Sequence, residues 1–192
     1  MMRIITGKAK GKRLATLEGN DTRPTGERVK EAIFSSLQFD IEGRRVLDLF
    51  AGSGQLGLEA LSRGADSCMF VDASPDAMAI IKENAKRCDF FSSSRFLISD
   101  YRSYVRKGAG RDTYHLIFLD PPYALSCIGE ALSRILKAGI AADGCLFVCE
   151  SGSPDIFTGH EEIESRFEVV KYARYGVAHV HILRLLPEEV VE

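Results

Sequence analysis

The sequence predicts an α/β fold with a mostly parallel sheet of seven strands. Short apolar runs alternate with segments whose apolar residues recur at helical spacing, a pattern that indicates βαβ units with right-handed crossovers. Near the end of the chain two β-rich runs, 168–175 and 177–186, follow each other directly and break at Gly176. Such a pair is typical of an antiparallel hairpin that closes one edge of the sheet.

The predicted elements begin with a short N-terminal extension. Residues 2–6 and 12–17 are predicted as two short strands of a hairpin, and helix-start signals at 23–27 precede apolar residues at helical spacing. The segments that follow are predicted as strands at 46–50, 67–71, 96–99, 116–119 and 145–149, separated by helices at 56–63, 75–87, 101–107 and 126–138.

The composition is ordinary for a globular protein and excludes several classes. Of 192 residues, 45% are apolar and 27% charged, and no run is apolar enough to cross a bilayer or to form the core of a signal peptide. We therefore expect a cytoplasmic protein without a membrane contact. The five cysteines are scattered and form no CxxC pair, so we expect neither a disulfide framework nor a metal site.

The net charge of −2 conceals a basic arm on an acidic body. Residues 1–30 contain eight Lys and Arg against three Asp and Glu, a balance of +5, while the remainder of the chain has a balance of −7. This asymmetry indicates either a contact with phosphates or a solvated basic loop, and charge alone favours neither.

A glycine-rich loop follows the first strand of the body. Gly52, Gly54 and Gly57 fit the spacing GxGxxG between a strand and a helix, and Asp72 ends the next strand. Glycines allow a ligand to approach the backbone, and a carboxylate at the second strand end can accept both ribose hydroxyl hydrogens. The pattern therefore predicts a site for an adenosine-containing cofactor, although small residues there also serve tight packing of a helix on a sheet.

Asp48, four positions before Gly52, distinguishes between two cofactors. It would oppose the diphosphate of a dinucleotide but suits a cationic amino acid group. The pattern Asp-x-x-x-Gly-x-Gly resembles the first motif of class I S-adenosylmethionine-dependent methyltransferases. In that family the loop wraps the methionine end, the acid after the second strand holds the ribose, and the acid after the third meets the adenine. The residues that this resemblance assigns to the cofactor are Asp48, Phe50, Ala51, Gly52, Ser53, Gly54, Gly57, Asp72, Ala73, Asp100 and Tyr101. For Asp100 an alternative, the N-cap of helix 101–107, stays open.

Asp120, Pro121, Pro122 and Tyr123 form a stiff turn after the strand 116–119, and we expect it to be the reacting centre. Two prolines fix φ and donate no hydrogen bond, so the turn offers acceptors beside an aromatic face. Acceptors aimed at the hydrogens of a base amino group would localise its lone pair and stabilise developing positive charge. The turn resembles the [DN]-PP-[FY] signature of amino-nitrogen methyltransferases; the alternative is an ordinary proline-rich turn. A base would leave its stack to reach it.

Several stretches together resemble the bacterial 16S rRNA guanine-N2 methyltransferase family, RsmD: residues 3–7, 11–14, 23–25 with 28–34, and 49–54 through 57–64, with the DPPY turn and Tyr175-Gly176 in addition. The resemblance covers nearly the whole chain. It implies a Rossmann-like class I methyltransferase fold, with S-adenosylmethionine as cofactor and S-adenosylhomocysteine as its product. It also implies methyl transfer to the N2 group of one 16S guanine, on assembled or assembling 30S subunits. Thr6, Gly26-Glu27 and Ser35 depart from the family pattern, which puts only details of cofactor or RNA contact in doubt.

The same resemblance divides the chain into a basic hairpin-and-helix extension over 1–40, which contacts RNA, and a catalytic domain over 41–192. We expect the phosphate contacts at Lys8, Lys10, Lys12 and Arg13. Arg23 and Thr25 would line the mouth of the cofactor site, or simply begin a helix. Nothing in the sequence requires more than a monomer.

Two other functions stay open. A DNA adenine-N6 methyltransferase would also have a DPPY turn, but no target-recognition domain for DNA is evident. A ribosome-assembly factor that binds the cofactor but whose main role is RNA binding is disfavoured by the intact turn.

Overall fold

The structure, a computed structural model, describes residues 2–16, 24–108 and 112–188. Its helices and strands alternate as α1 (Pro24–Ser36), β1 (Arg45–Asp48), α2 (Gln55–Ser62), β2 (Ser67–Asp72), α3 (Pro75–Arg87), β3 (Ser94–Ile98), α4 (Tyr101–Gly108), β4 (Tyr114–Leu119), α5 (Ile128–Ala138), β5 (Ala141–Ser151), β6 (Phe167–Tyr175) and β7 (Ala178–Leu185). The predicted α/β class is confirmed, and the predicted elements of the body differ mainly at their ends. In the described part of the chain, no helix has the length and apolarity that a membrane span needs.

One sheet holds all seven strands, in the order β3-β2-β1-β4-β5-β7-β6. Strands β1 to β5 are parallel, and β7 pairs antiparallel with both β5 and β6. The predicted closing hairpin is therefore present, with β7 inside and β6 at the edge. Because the strand order turns back between β1 and β4, a crevice is expected above their carboxyl ends.

Helices cover both faces of the sheet. Residues of α1, α2 and α3 form one apolar cluster with alternate strand residues such as Phe118, and residues of α4 and α5 form the other with Ile117. Neighbouring residues of a strand point to opposite faces, so β4 contributes to both clusters. This two-sided burial explains why the parallel strands appear in the sequence as continuous apolar runs.

In the N-terminal segment, residues 2–16, the predicted strands are shortened. The two predicted strands reduce to a single antiparallel bridge between Arg3 and Arg13. The amides of Ile5 and Thr6 donate instead to the Glu59 carboxylate in α2, at 2.8 and 3.0 Å. Backbone hydrogen bonds also join the two halves, such as the Leu14 amide to the Met2 carbonyl at 3.0 Å, so the predicted hairpin is present in shortened form.

Gly7 fixes how closely the N-terminal segment approaches α2. Its φ is +88°, and a Cβ there would stand 1.9 Å from the Ser62 carbonyl oxygen, so no other residue fits. Ile4 and Leu14 of the same segment are buried in the cluster that α1 and α2 share with the sheet. The described part of residues 1–40 thus shares a hydrophobic core with the body, and the boundary at residue 40 stays a prediction.

Candidate active site

The glycine-rich loop joins β1 to α2 at the carboxyl edge of the sheet. Gly52 and Gly54 have φ of +53° and +78°, and the Gly54 amide donates to the Ala51 carbonyl at 2.6 Å. A Cβ on Gly52 would meet no atom within 4 Å, so the backbone there faces open space. This arrangement leaves room for a ligand to lie against the loop.

Gly57, the third glycine of the motif, has a different reason to be small. A Cβ there would stand 2.4 Å from Cε1 of Phe70 and 2.7 Å from Sγ of Cys68, both in β2. The residue lets α2 lie close on the sheet, which is the packing role that the sequence left open for small residues in the motif.

Asp48 lies under the loop as a buried carboxyl group. Its Oδ2 accepts the amide hydrogen of Gly57 at 3.0 Å. Burial raises the pKa of Asp48 to about 7, with a smaller contribution from the charge of Asp72, while the hydrogen bond opposes the rise. A cation placed beside this carboxyl would favour its ionised form.

Asp72 ties the end of β2 to the glycine loop. Its Oδ2 accepts the Gly52 amide and its Oδ1 accepts the Ser74 amide, each at 2.8 Å. Ala73 lies exposed between them. A carboxylate has about four acceptor sites, so the two hydrogen bonds hold Asp72 in place and leave capacity for the hydroxyls of a ribose.

The acidic residue after β3 acts as the N-cap that the sequence left open. Asp100 is exposed, and its Oδ1 accepts the Ser103 amide at 3.0 Å; this hydrogen bond lowers the pKa of Asp100. The ring of Tyr101 lies 5.2 Å from that of Phe50 in the loop, and its hydroxyl donates to Glu130 in α5 at 2.8 Å. The N-terminus of α4 is thereby joined to the glycine loop.

The DPPY turn lies above β4, the strand next to β1 on the side away from β2. Asp120 is half-buried, and burial, then the nearby charges of Glu150 and Asp48, hold the pKa of its carboxyl group well above the usual range. Pro121 is buried and Pro122 exposed, and Tyr123 begins a single 3-10 turn. Asp120 and the glycine loop therefore follow the carboxyl ends of two adjacent strands, β4 and β1.

Glu150 is a site residue that the sequence reasoning missed. Its Oε1 accepts the hydroxyl hydrogen of Tyr123 at 2.7 Å. It lies near the end of β5, directly after the apolar run that predicted this strand. Like Asp72, Asp100 and Asp120, it is an acidic residue at the end of an apolar run, and this local signal could have found it.

Tyr123 borders a cleft of about 430 Å³ between its own turn, the end of β5 and the β6–β7 turn. The residues around this cleft are Tyr123, Ala124, Ser126, Ser151, Gly152, Ser153 and Val177. Its size and its mixed apolar and hydroxyl lining suit a planar polar group beside the tyrosine ring.

The four residues predicted to contact phosphates are not equivalent. Lys8, Lys10 and Arg13 are exposed on the N-terminal segment. Lys12 is half-buried, and its Nζ donates to Oδ2 of Asp89 at 2.6 Å and to a backbone carbonyl at 2.9 Å. A phosphate would have to compete with this carboxylate for Lys12.

The side chains of two predicted cofactor residues lie outside the described part of the structure. Arg23 lies outside the described residues, and Thr25 is in the first turn of α1 with its side chain outside the description. Their roles stay predictions.

Asn84 of α3 joins the N-terminal segment to the glycine loop. This buried amide pairs with both backbone groups of Ala15, at 2.8 and 3.0 Å, and its Nδ2 also donates to the Ser53 carbonyl at 3.0 Å. The partners lie 69 and 31 residues away in sequence, so no local pattern could have indicated this link.

Comparison with known proteins adds to this geometry. The family model described as Conserved hypothetical protein 95 matches residues 2–184. YlbH of Bacillus subtilis, which is named provisionally as an rRNA methyltransferase, is 44% identical over 123 residues, 64% of this chain and 67% of its own. Ribosomal RNA small subunit methyltransferase D of Haemophilus influenzae is 34% identical over 137 residues, 71% of each chain.

A solved structure resembles the whole fold. The crystal structure of a provisionally named methylase from Haemophilus influenzae superposes with a TM-score of 0.80 at 25% identity, over 97% of this chain and 99% of that one. The seven-stranded sheet is thus that of the class I methyltransferases. Since the family model spans nearly the whole chain and curated relatives are named ribosomal RNA small subunit methyltransferase D, the chain belongs to that family, RsmD.

Proposed function

We propose that the chain transfers a methyl group from S-adenosylmethionine to the N2 amino group of a guanine in small-subunit ribosomal RNA. The observation that carries this proposal is the DPPY turn, residues 120–123, on the strand adjacent to the glycine loop in a member of the RsmD family. Relatives named as small-subunit rRNA methyltransferases support the substrate, and the sequence resemblance supports the N2 position.

The residues at the carboxyl ends of β1 and β2 fit the cofactor. When bound, S-adenosylmethionine supplies an electrophilic methyl group on a positively charged sulfur. Asp72 would accept the ribose hydroxyls while it keeps its two amide hydrogen bonds. Asp48 would counter the cationic methionine end, which favours ionisation of a carboxyl whose pKa burial has raised. The open backbone at Gly52 gives the ligand its approach.

Other cofactor roles follow from position. We place the adenine near the start of α4, where Asp100 and Tyr101 lie, with Phe50 packed against the tyrosine ring. The remaining loop residues, Ala51, Ser53 and Gly54, would bound the methionine end through their backbone. These roles depend on the position of the residues along one edge of the sheet.

The DPPY turn would prepare the amino nitrogen of the base. Acceptors at Asp120 and at the Pro121 carbonyl would take the two amino hydrogens and localise the lone pair that attacks the methyl carbon. The bound cofactor would supply the methyl carbon and keep the electrons of the carbon–sulfur bond, while the nitrogen would give up a proton. Asp120, whose pKa burial raises, is suited to take that proton. The ring of Tyr123 would stack on the base.

The basic face of the N-terminal segment would position the RNA. Lys8, Lys10 and Arg13 are exposed there and would contact phosphates, while Lys12 contributes less because Asp89 already binds it. We propose that the substrate is rRNA in assembled or assembling 30S subunits, that the location is cytoplasmic and that the enzyme acts as a monomer.

The test is methyl transfer from labelled S-adenosylmethionine to unmodified small subunits, naked rRNA or DNA. We expect label in rRNA, recovered as N2-methylguanosine after digestion. Label only in DNA, as N6-methyladenine, would instead support a DNA methyltransferase. Cofactor binding with transfer to none of the three would favour an assembly factor.

Asp120→Ala separates chemistry from binding. We expect at least about a hundredfold loss of transfer, because a charge-stabilising acceptor is removed, with S-adenosylhomocysteine affinity largely kept. Asp143→Ala serves as the matched control, since Asp143 is exposed at the opposite end of β5. Equal loss of transfer and cofactor binding in the Asp120 variant would contradict the assigned role.

A further inference from the structure

Glu150 stands beside Asp120 because of the sheet register. Strands β4 and β5 are parallel and pair Leu119 with Cys149. The residues that follow them, Asp120 and Glu150, are therefore neighbours. Adjacent strands lie about 4.8 Å apart, which places the two acidic residues side by side at the same edge. The charge of Glu150 contributes to the raised pKa of Asp120, as expected for such proximity.

The Glu150 carboxylate is held at the substrate end of the site. Its Oε1 accepts the Tyr123 hydroxyl at 2.7 Å. The ring of Tyr123 in turn lies on Gly152, where a Cβ would stand 3.0 Å from ring atom Cδ2. Ring and carboxylate therefore fix each other, and one accepted hydrogen bond leaves further acceptor sites on Glu150.

An acceptor oxygen on Asp120 beside the Glu150 carboxylate matches the edge of guanine better than that of adenine. Guanine presents the N1 hydrogen next to the N2 amino hydrogens, two neighbouring donors. Adenine presents an acceptor at N1 next to its N6 amino group, and a carboxylate facing that nitrogen would be repelled. A site that accepts an N–H group discriminates strongly against an analogue that lacks it.

We propose that Glu150 is a specificity-determining residue that accepts the N1 hydrogen of the target guanine while Asp120 accepts a hydrogen of its N2 group. Tyr123 then has a second task besides stacking, because its hydroxyl holds Glu150 in position. This inference rests on the proposed function, and it names the feature of this chain that would select guanine.

The first test replaces the methylated guanine, once mapped, by 2,6-diaminopurine in an RNA fragment. This base keeps the N2 amino group but has an acceptor at N1. We expect wild type to prefer guanine in kcat/KM, and Glu150→Gln, whose amide can donate to N1, to reduce that preference by about tenfold. Glu164→Gln, at an exposed position, is the matched control and should keep it.

Tyr123→Phe separates selection of the base from positioning of the ring. It removes the hydroxyl but leaves the Glu150 carboxylate, so we expect a lower rate with most of the guanine preference retained. If Glu150→Gln slows both bases equally and keeps the wild-type preference, Glu150 acts only through Tyr123 and the inference is overturned. Should Glu150→Gln unfold, Glu150→Asp keeps the carboxylate and is expected to keep the preference.

A binding measurement separates this inference from the proposed function. Guanosine 5′-monophosphate and the corresponding 2,6-diaminopurine nucleotide are compared by saturation-transfer NMR with S-adenosylhomocysteine present. A guanine preference that Glu150→Gln abolishes supports the inference even if rRNA is not the substrate. No preference in wild type overturns it even if rRNA is methylated.

Discussion

Replacing Asp48 by Asn tests whether the cofactor site is destabilised in the absence of its ligand. Asp48 is 2% exposed, and its Oδ2 accepts the amide hydrogen of Gly57, which an Asn oxygen can also accept. The substitution therefore removes the ionisable group with little change of shape. We expect the variant to be more stable than wild type at neutral pH and to bind the cofactor less well.

The size of the effect follows from the pKa. Burial raises it from the ordinary value of 3.8 to about 7, so between these values the folded protein binds a proton that the unfolded chain releases. Stability then falls as pH rises through this window, by about 4 kcal/mol in total, of which roughly 2.5 kcal/mol falls between pH 5 and pH 8. An Asn side chain does not titrate, so the stability of the variant relative to wild type should increase by that amount from pH 5 to pH 8.

Urea unfolding of both proteins at pH 5 and pH 8 measures the difference in their free energies of unfolding. Contributions from other titrating groups cancel in this comparison. A second measurement, S-adenosylhomocysteine affinity at pH 8, should show a loss of about tenfold in the variant as a charged partner is removed. If the stability difference were the same at both pH values, Asp48 would have an ordinary pKa and the reasoning would fail. Stabilisation at pH 8 without a loss of affinity would remove Asp48 from the cofactor site.

Three further substitutions test other features. Gly57→Ala should cost about 1–3 kcal/mol in urea unfolding, because its methyl group would strike the β2 ring beneath α2; an unchanged midpoint would show that α2 is free to move. Glu59→Gln should cost about 3–5 kcal/mol, because the buried Lys30 ammonium, 3.6 Å from the Glu59 carboxylate, would lose its ion partner. It should also speed amide exchange in residues 5 and 6, whereas slow exchange there would mean that the segment is held otherwise. Lys8→Glu with Lys10→Glu should weaken RNA binding and flatten its salt dependence, with Lys137→Glu as an exposed control; equal affinities would remove the N-terminal segment from the interface.

The sheet and its helices could be predicted because their signals are local. Apolar runs, helical spacing and turn residues lie within each element. The predicted N-terminal strands are shorter in the structure because the amide of Ile5 binds Glu59, 54 residues away. The engagement of Lys12 by Asp89, 77 residues away, was beyond local patterns for the same reason. Residue roles at the site stay predictions until the substitutions above are measured.

The hydrogen bonds of the N-terminal segment have a consequence for truncation. Removing residues 2–16 would take two amide donors from the fully buried Glu59 and would leave the Asn84 amide without its Ala15 partners. A shortened chain would therefore lose stability in the body itself, as well as basic residues. Low activity of such a chain could not be interpreted as loss of RNA contact. Only charge reversal at exposed positions can separate the two effects.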